Sequence, residues 1–181
     1  MAYILFCLLN GDAEKYHHRL VDEIADKFNI TLPKKEALPS HFTLKYWFDT
    51  GNINEIEGVI ERFCKTHKKT PIKVGGFGKF PPKTIFIKVK LSDEANQTFL
   101  ELISELKKIQ WMPWDKYDAE NLYFHSTIAE ECNDKFDSIL EFLKGKEEYF
   151  DLYFDNITIL KLVKGTKYVG KWEIHKTFSL K

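Results

Sequence analysis

At 181 residues, with 44% hydrophobic and 15% aromatic content, the chain is long enough to bury a core and too apolar to be disordered. Its 27 basic and 27 acidic residues cancel, which argues against a broad basic grip on long nucleic acid; a small phosphate-bearing ligand needs only a few local donors. Cys7, Cys64 and Cys132 are scattered and lack CxxC spacing, so they read as buried free thiols and not as a disulfide framework or zinc ribbon.

In chain order, the opening MAYILFCLLNGD has no basic region before its short apolar run and no small-residue cleavage site after it. It reads as a strand, Tyr3 to Leu9, and not as a leader; the protein is expected in the cytoplasm, away from membranes. Asp12 can cap a helix in which Tyr16, Leu20, Ile24 and Phe28 recur every fourth residue. The loop TLPKKEALPS leads into the strand HFTLKYWF. Asn54 can cap a second helix with Ile56, Val59, Ile60 and Phe63 on one side, and PIKVGGFG is a strand ending in glycines. Pro81-Pro82 then breaks the chain. GGFGKF is therefore read as a turn and not a phosphate loop, which requires a following helix and a Lys-Ser/Thr ending.

The second half opens in the same way. TIFIKVKL alternates as a strand, Ser92 can cap a helix carrying Phe99, Leu102, Ile103 and Leu106, and the loop QWMPWDKYDAEN leads into the strand LYFHSTIAEE. Asn133 can cap a helix with Phe136, Ile139, Leu140 and Leu143, stopped by Gly145. FDLYFDNITILKLV is a long strand or a hairpin, and YVGKWEIHKTFSL is the last strand. The order strand, helix, loop, strand, helix, strand thus occurs twice.

Each copy carries a short motif on its fourth element, His41-Phe42-Thr43-Leu44 and His125-Ser126-Thr127-Ile128. In a strand, residues i and i+2 share a face, so His41 lies with Thr43 and His125 with Thr127. If the two halves meet about a pseudo-two-fold axis, two imidazoles and two hydroxyls surround one small volume. Such a volume suits a phosphodiester. A neutral histidine takes a proton from the attacking oxygen, a protonated one gives a proton to the leaving oxygen, and the threonines donate to the phosphate oxygens. His175-Lys176-Thr177-Phe178 fits the same pattern but lacks the strand-helix-loop lead-in, and is read as structural.

With this pair of motifs the sequence resembles the two-histidine phosphoesterases, the superfamily of 2′-5′ RNA ligases and 2′,3′-cyclic nucleotide phosphodiesterases. The resemblance implies one domain over residues 1–181, an α+β bilobal fold of duplicated α/β halves with two antiparallel sheets around a central cleft. It implies His41 and His125 as catalytic acid and base and Thr43 and Thr127 as phosphate binders. It implies an enzyme that hydrolyses 2′,3′-cyclic phosphates or 2′-5′ phosphodiesters of nucleotides or RNA ends, with no cofactor and no metal, here expected as a monomer. Many ligase-like members carry Arg shortly after the second motif, where this chain has Glu130. RNA ligation, or a nucleotide- or RNA-binding module with little turnover, is the alternative.

Lys45 and Trp47 alternate onto the face of His41, and Tyr123 onto that of His125, as further substrate contacts. Trp111 to Trp114 is read as closing the core under a loop, with a base platform as the alternative. Lys34, Lys35 and His67 are read as surface, and His17-His18 as lying on an exposed helix face.

Overall fold

The computed structural model describes residues 1–36, 38–115, 118–119, 122–166 and 170–181. Chain order is β1 (Ala2–Leu8), α1 (Asp12–Phe28), α2 (Leu32–Glu36), β2 (His41–Asp49), α3 (Ile53–Thr66), β3 (Thr70–Phe80), β4 (Thr84–Leu91), α4 (Asp93–Lys107), β5 (His125–Ala129), α5 (Phe136–Leu143), β6 (Tyr149–Phe154), β7 (Asn156–Gly165) and β8 (Gly170–Ser179). Two four-stranded sheets result, with orders β2-β1-β7-β8 and β5-β4-β3-β6, and the pairs within each are antiparallel.

The repeated element order is present, but a sheet is not built from one half of the sequence. β3 ends the first copy yet pairs with β4 of the second, and β7 ends the second copy yet pairs with β1 of the first. The stretch expected as one strand or a hairpin is neither. β6 and β7 are separated by Asp155 alone and join different sheets. The helices cross as well, since α1 packs against β5 of the opposite sheet. These exchanges give one continuous core, running from Leu5, Phe42 and Phe48 in the first sheet to Ile72, Ile85 and Ile87 in the second. Each such side chain contributes roughly 1.5–3 kcal/mol by leaving water.

Local signals fare unevenly. Ser92 caps α4 as expected, its Oγ accepting from the Ala95 amide at 3.1 Å. Gly11, with φ of 69°, precedes α1, so Asp12 is its first helical residue and not its cap. Asn52 precedes α3, leaving Asn54 inside the helix. Asn133 opens a single 3₁₀ turn ahead of α5. The loop before the first motif contains α2, tied to α1 where Lys34 meets Asp22 at 2.9 Å. GGFGKF belongs to β3 itself, with a register shift between Val74 and Phe77, and the turn follows it at Pro81. No helix among the described residues is long and apolar enough to cross a membrane.

Candidate active site

β2 and β5 are the edge strands of their sheets, and they contact each other. His41, Thr43, His125 and Thr127 accordingly line one cleft of about 320 Å³. That volume lies within the range of small-ligand sites.

The two motifs are held alike. His41 Nδ1 lies 2.7 Å from the Pro39 carbonyl oxygen, and His125 Nδ1 lies 2.5 Å from that of Tyr123. In both cases the carbonyl two residues earlier accepts the Nδ1 proton. This fixes the tautomer and leaves Nε2 as the nitrogen open to a ligand. Each imidazole also rests on a phenylalanine of the neighbouring central strand. Phe6 pairs with Thr43 across the ladder and stacks on His41, with centroids 3.6 Å apart. Phe86 pairs with Thr127 and lies 4.7 Å from His125. Room for Phe86 comes from Gly78, where an added Cβ would fall 2.1 Å from that ring.

The electrostatic settings differ. Burial, with the nearby His17 and His125 adding to it, pushes His41 down to about 3. Burial also lowers His125, against the opposing hydrogen bond to Tyr123. Desolvation disfavours the imidazolium, and a neighbouring imidazolium disfavours it further.

His17 is a component that the sequence reading placed wrongly. It is 6% exposed and lines the cleft, and its Nε2–H donates to the Thr127 carbonyl oxygen at 2.9 Å. Its Nδ1 is buried without a partner, and burial lowers the imidazole to about 4. The signal was available: Ala13, His17, Leu20 and Ile24 form one buried stripe on α1. His18, the neighbour, is exposed as expected and faces Glu14.

Lys45 is a second correction. Phe6 faces Thr43 but Leu5 faces Lys45, so β2 carries an extra residue there. Such a bulge breaks the alternation and turns Lys45 away from the cleft. Lys45 is 1% exposed and its Nζ donates to Asp118 Oδ2 at 2.7 Å. Asp118, which lies between α4 and β5, also accepts from the Tyr46 amide at 3.0 Å and so fastens its own segment to β2. Tyr46 takes the place in the cleft that alternation had given to Lys45, and Trp47 lines the cleft too. Tyr123 is 53% exposed and stands beside His125, Phe80 and Phe86 without joining the lining.

The other sequence candidates lie elsewhere. His175 bonds Glu57 at 2.8 Å and Thr177 bonds Thr158 at 3.0 Å, both outside the cleft lining. Met112 is buried and Trp114 packs on the core, while Trp111 bonds Glu55 at 2.7 Å. His67 is half-buried, stacked on Phe63 and bonded to Glu101. All three cysteines are buried free thiols. Among the described residues, no group of three or more His, Cys, Asp or Glu is arranged to hold a metal ion.

The family model of the 2′-5′ RNA ligase superfamily matches residues 15–166. No curated protein matches the chain significantly. Among solved structures, TT0787 of Thermus thermophilus is 16% identical with a TM-score of 0.69, over 99% of this chain and 98% of that one. A protein described as a phosphoesterase is 10% identical with a TM-score of 0.63, over 98% and 97%. E. coli LigT, solved with 3′-AMP, is 10% identical with a TM-score of 0.56, over 98% and 96%. At these identities the likeness establishes the fold, two antiparallel sheets built with crossing strands. With that fold shared end to end and the family match spanning both motifs, the chain belongs to the 2′-5′ RNA ligase superfamily of two-histidine phosphoesterases.

Proposed function

We propose that the protein is a metal-independent phosphoesterase that opens 2′,3′-cyclic phosphates, or cleaves 2′-5′ phosphodiesters, on nucleotides or RNA ends. One observation carries this reading: two His-Thr pairs line a single cleft, and each histidine spends Nδ1 on a main-chain carbonyl and keeps Nε2 for a ligand. The relative LigT has been solved with 3′-AMP, the type of product such a reaction gives.

The environments divide the labour. His41, the harder to protonate, is the general base and takes a proton from water. His125, less strongly depressed, is the general acid and protonates the departing ribose oxygen. The charge of a bound phosphodiester favours the imidazolium, so substrate helps to load the proton that His125 delivers. Thr43 and Thr127 donate to the non-bridging oxygens. Acid, base and anion donors are all side chains, so the reaction needs no metal. Residues 1–181 act as one domain, with a monomer sufficient for the site.

The test is hydrolysis of an oligonucleotide ending in a 2′,3′-cyclic phosphate, in EDTA, by wild type, His41→Ala and His125→Ala. Each variant is expected to lose about a hundredfold or more. Variants that keep wild-type rates would remove the paired-histidine mechanism. An inactive wild type that still binds the oligonucleotide, equally well in both variants, would favour a binding module instead.

A further inference from the structure

We propose that Glu130 selects the charge of the ligand, so that the cleft takes a singly charged phosphodiester and turns away a doubly charged phosphomonoester. The inference rests on the phosphodiester reading of the cleft and adds to it a rule for discriminating substrate from product.

Glu130 directly follows β5, is half-buried and lines the cleft with His41, Thr43, His125 and Thr127. Among the described lining residues there is no Lys or Arg, and Glu130 is the only carboxylate. The nearby cation, Lys83, makes its ion pair with Glu131, at 3.5 Å, and not with Glu130. Glu130 itself makes no ion pair or hydrogen bond among the described residues. Burial raises the carboxyl, the charge of Glu131 adds to that, and Lys83 opposes it. Tyr46 lines the same cleft and is raised by its own burial, then by Asp118 and Asp115, and least by Glu130. A half-buried carboxylate without a cation is costly, and a second negative charge beside it costs more.

The consequence for turnover follows from the bookkeeping of the reaction. The oxygen of water forms a bond to phosphorus, one ring P–O bond breaks, and the ring oxygen takes a proton. The cyclic diester carries one negative charge. The monoester formed from it loses its second proton near pH 6 and carries close to two. Glu130 therefore repels the product more than the substrate and favours its release. In a site furnished with cations the order would be reversed.

The test uses two probes that differ by one charge and lack the 2′-hydroxyl needed for ring closure: 2′-deoxyadenosine 3′-phosphate and its methyl ester. Calorimetric binding at pH 8 compares them under one state of the histidines. Wild type is expected to prefer the methyl ester about tenfold or more, as one screened charge in a half-buried site allows. Glu130→Gln is expected to lose most of that preference, Glu130→Arg to reverse it, and Glu130→Asp to retain it. Thermal melts confirm that each variant is folded. Wild type that binds the monoester as tightly as the methyl ester, or a preference unchanged in Glu130→Gln, overturns the role of Glu130 and leaves the phosphodiester reading standing. Binding of neither probe overturns both.

Discussion

The two motif strands carry the same His-x-Thr pattern, place it at a sheet edge, tie Nδ1 to the same relative carbonyl and lay the ring on a phenylalanine. They differ in what holds them. Both strands carry an extra residue just after the motif threonine, but β2 runs nine residues and is fastened by the buried Lys45–Asp118 pair. β5 runs five residues and is held from α1 by His17. The second device adds an imidazole close to His41, whose pKa it lowers further. The lesson is that repetition supplied two equivalent chemical groups, and unequal support made them inequivalent. Burial lowers both imidazoles, and His41 is brought down to about 3.

The largest expected effect is on the pH profile of the proposed histidine pair. With His41 as the proposed base and His125 as the proposed acid, the free enzyme works above the His41 pKa of about 3 and below that of His125, which burial sets under the usual 6.5. A profile of kcat/KM against pH is therefore expected to peak on the acid side of 6.5 and fall about tenfold per unit above the His125 pKa. His125→Ala should remove that fall together with about a hundredfold or more of the rate at the optimum. A profile still rising at pH 8 would show that no histidine lowered by burial limits the alkaline side.

Asp118→Ala removes the pair that fastens β2. It leaves the 1%-exposed Lys45 ammonium without its carboxylate, at a cost of about 3–5 kcal/mol. Chemical denaturation measures this, and a change under about 1 kcal/mol would show that the pair is wet or replaceable.

His17→Gln tests the support of the second strand. The folded protein holds His17 at about 4, whereas the unfolded chain binds a proton near 6.5. The stability this contributes is complete above pH 6.5 and is lost as pH falls toward 4, on the order of 3 kcal/mol in all. Gln keeps a donor for the Thr127 carbonyl and does not titrate. Unfolding free energy measured from pH 7.5 to 4.5 should therefore fall less steeply in the variant. Parallel curves would mean that His17 binds protons alike in the folded and unfolded protein.

The smallest effect belongs to Gly78→Ala. Its new Cβ collides with Phe86, so the ring beneath His125 must shift while the one beneath His41 stays. Overpacking of this kind costs about 1–3 kcal/mol. Melting temperature and kcat should both fall, with the acid limb, attributed to His41, unmoved.

Much of this was legible in the residues. Period-two and period-four patterns located the strands and helices because those periods are set by local backbone geometry. Ser92 announced its cap because the bond closes within three residues. The motif pair was visible because both copies use the same short strand code. Less legible were the signals that needed a partner. β1 is buried on both faces, and Ile4 and Phe6 line the cleft, which its apolar run alone did not reveal. The buried stripe through His17 was equally periodic, but a histidine in it looked polar until Thr127 was found opposite.

By itself the sequence determined most of the strands and long helices, their duplicated order and the two motifs, all of which depend on neighbours in the chain. Only the tertiary structure decided the rest. It sent β3 and β7 to each other's sheets, turned Lys45 inward at a bulge, and brought His17 and Glu130 to the cleft. The physical reason is the same in each case. Strand pairing, bulge position and pKa depend on which residues face one another across long sequence separations, and local periodicity carries no record of them.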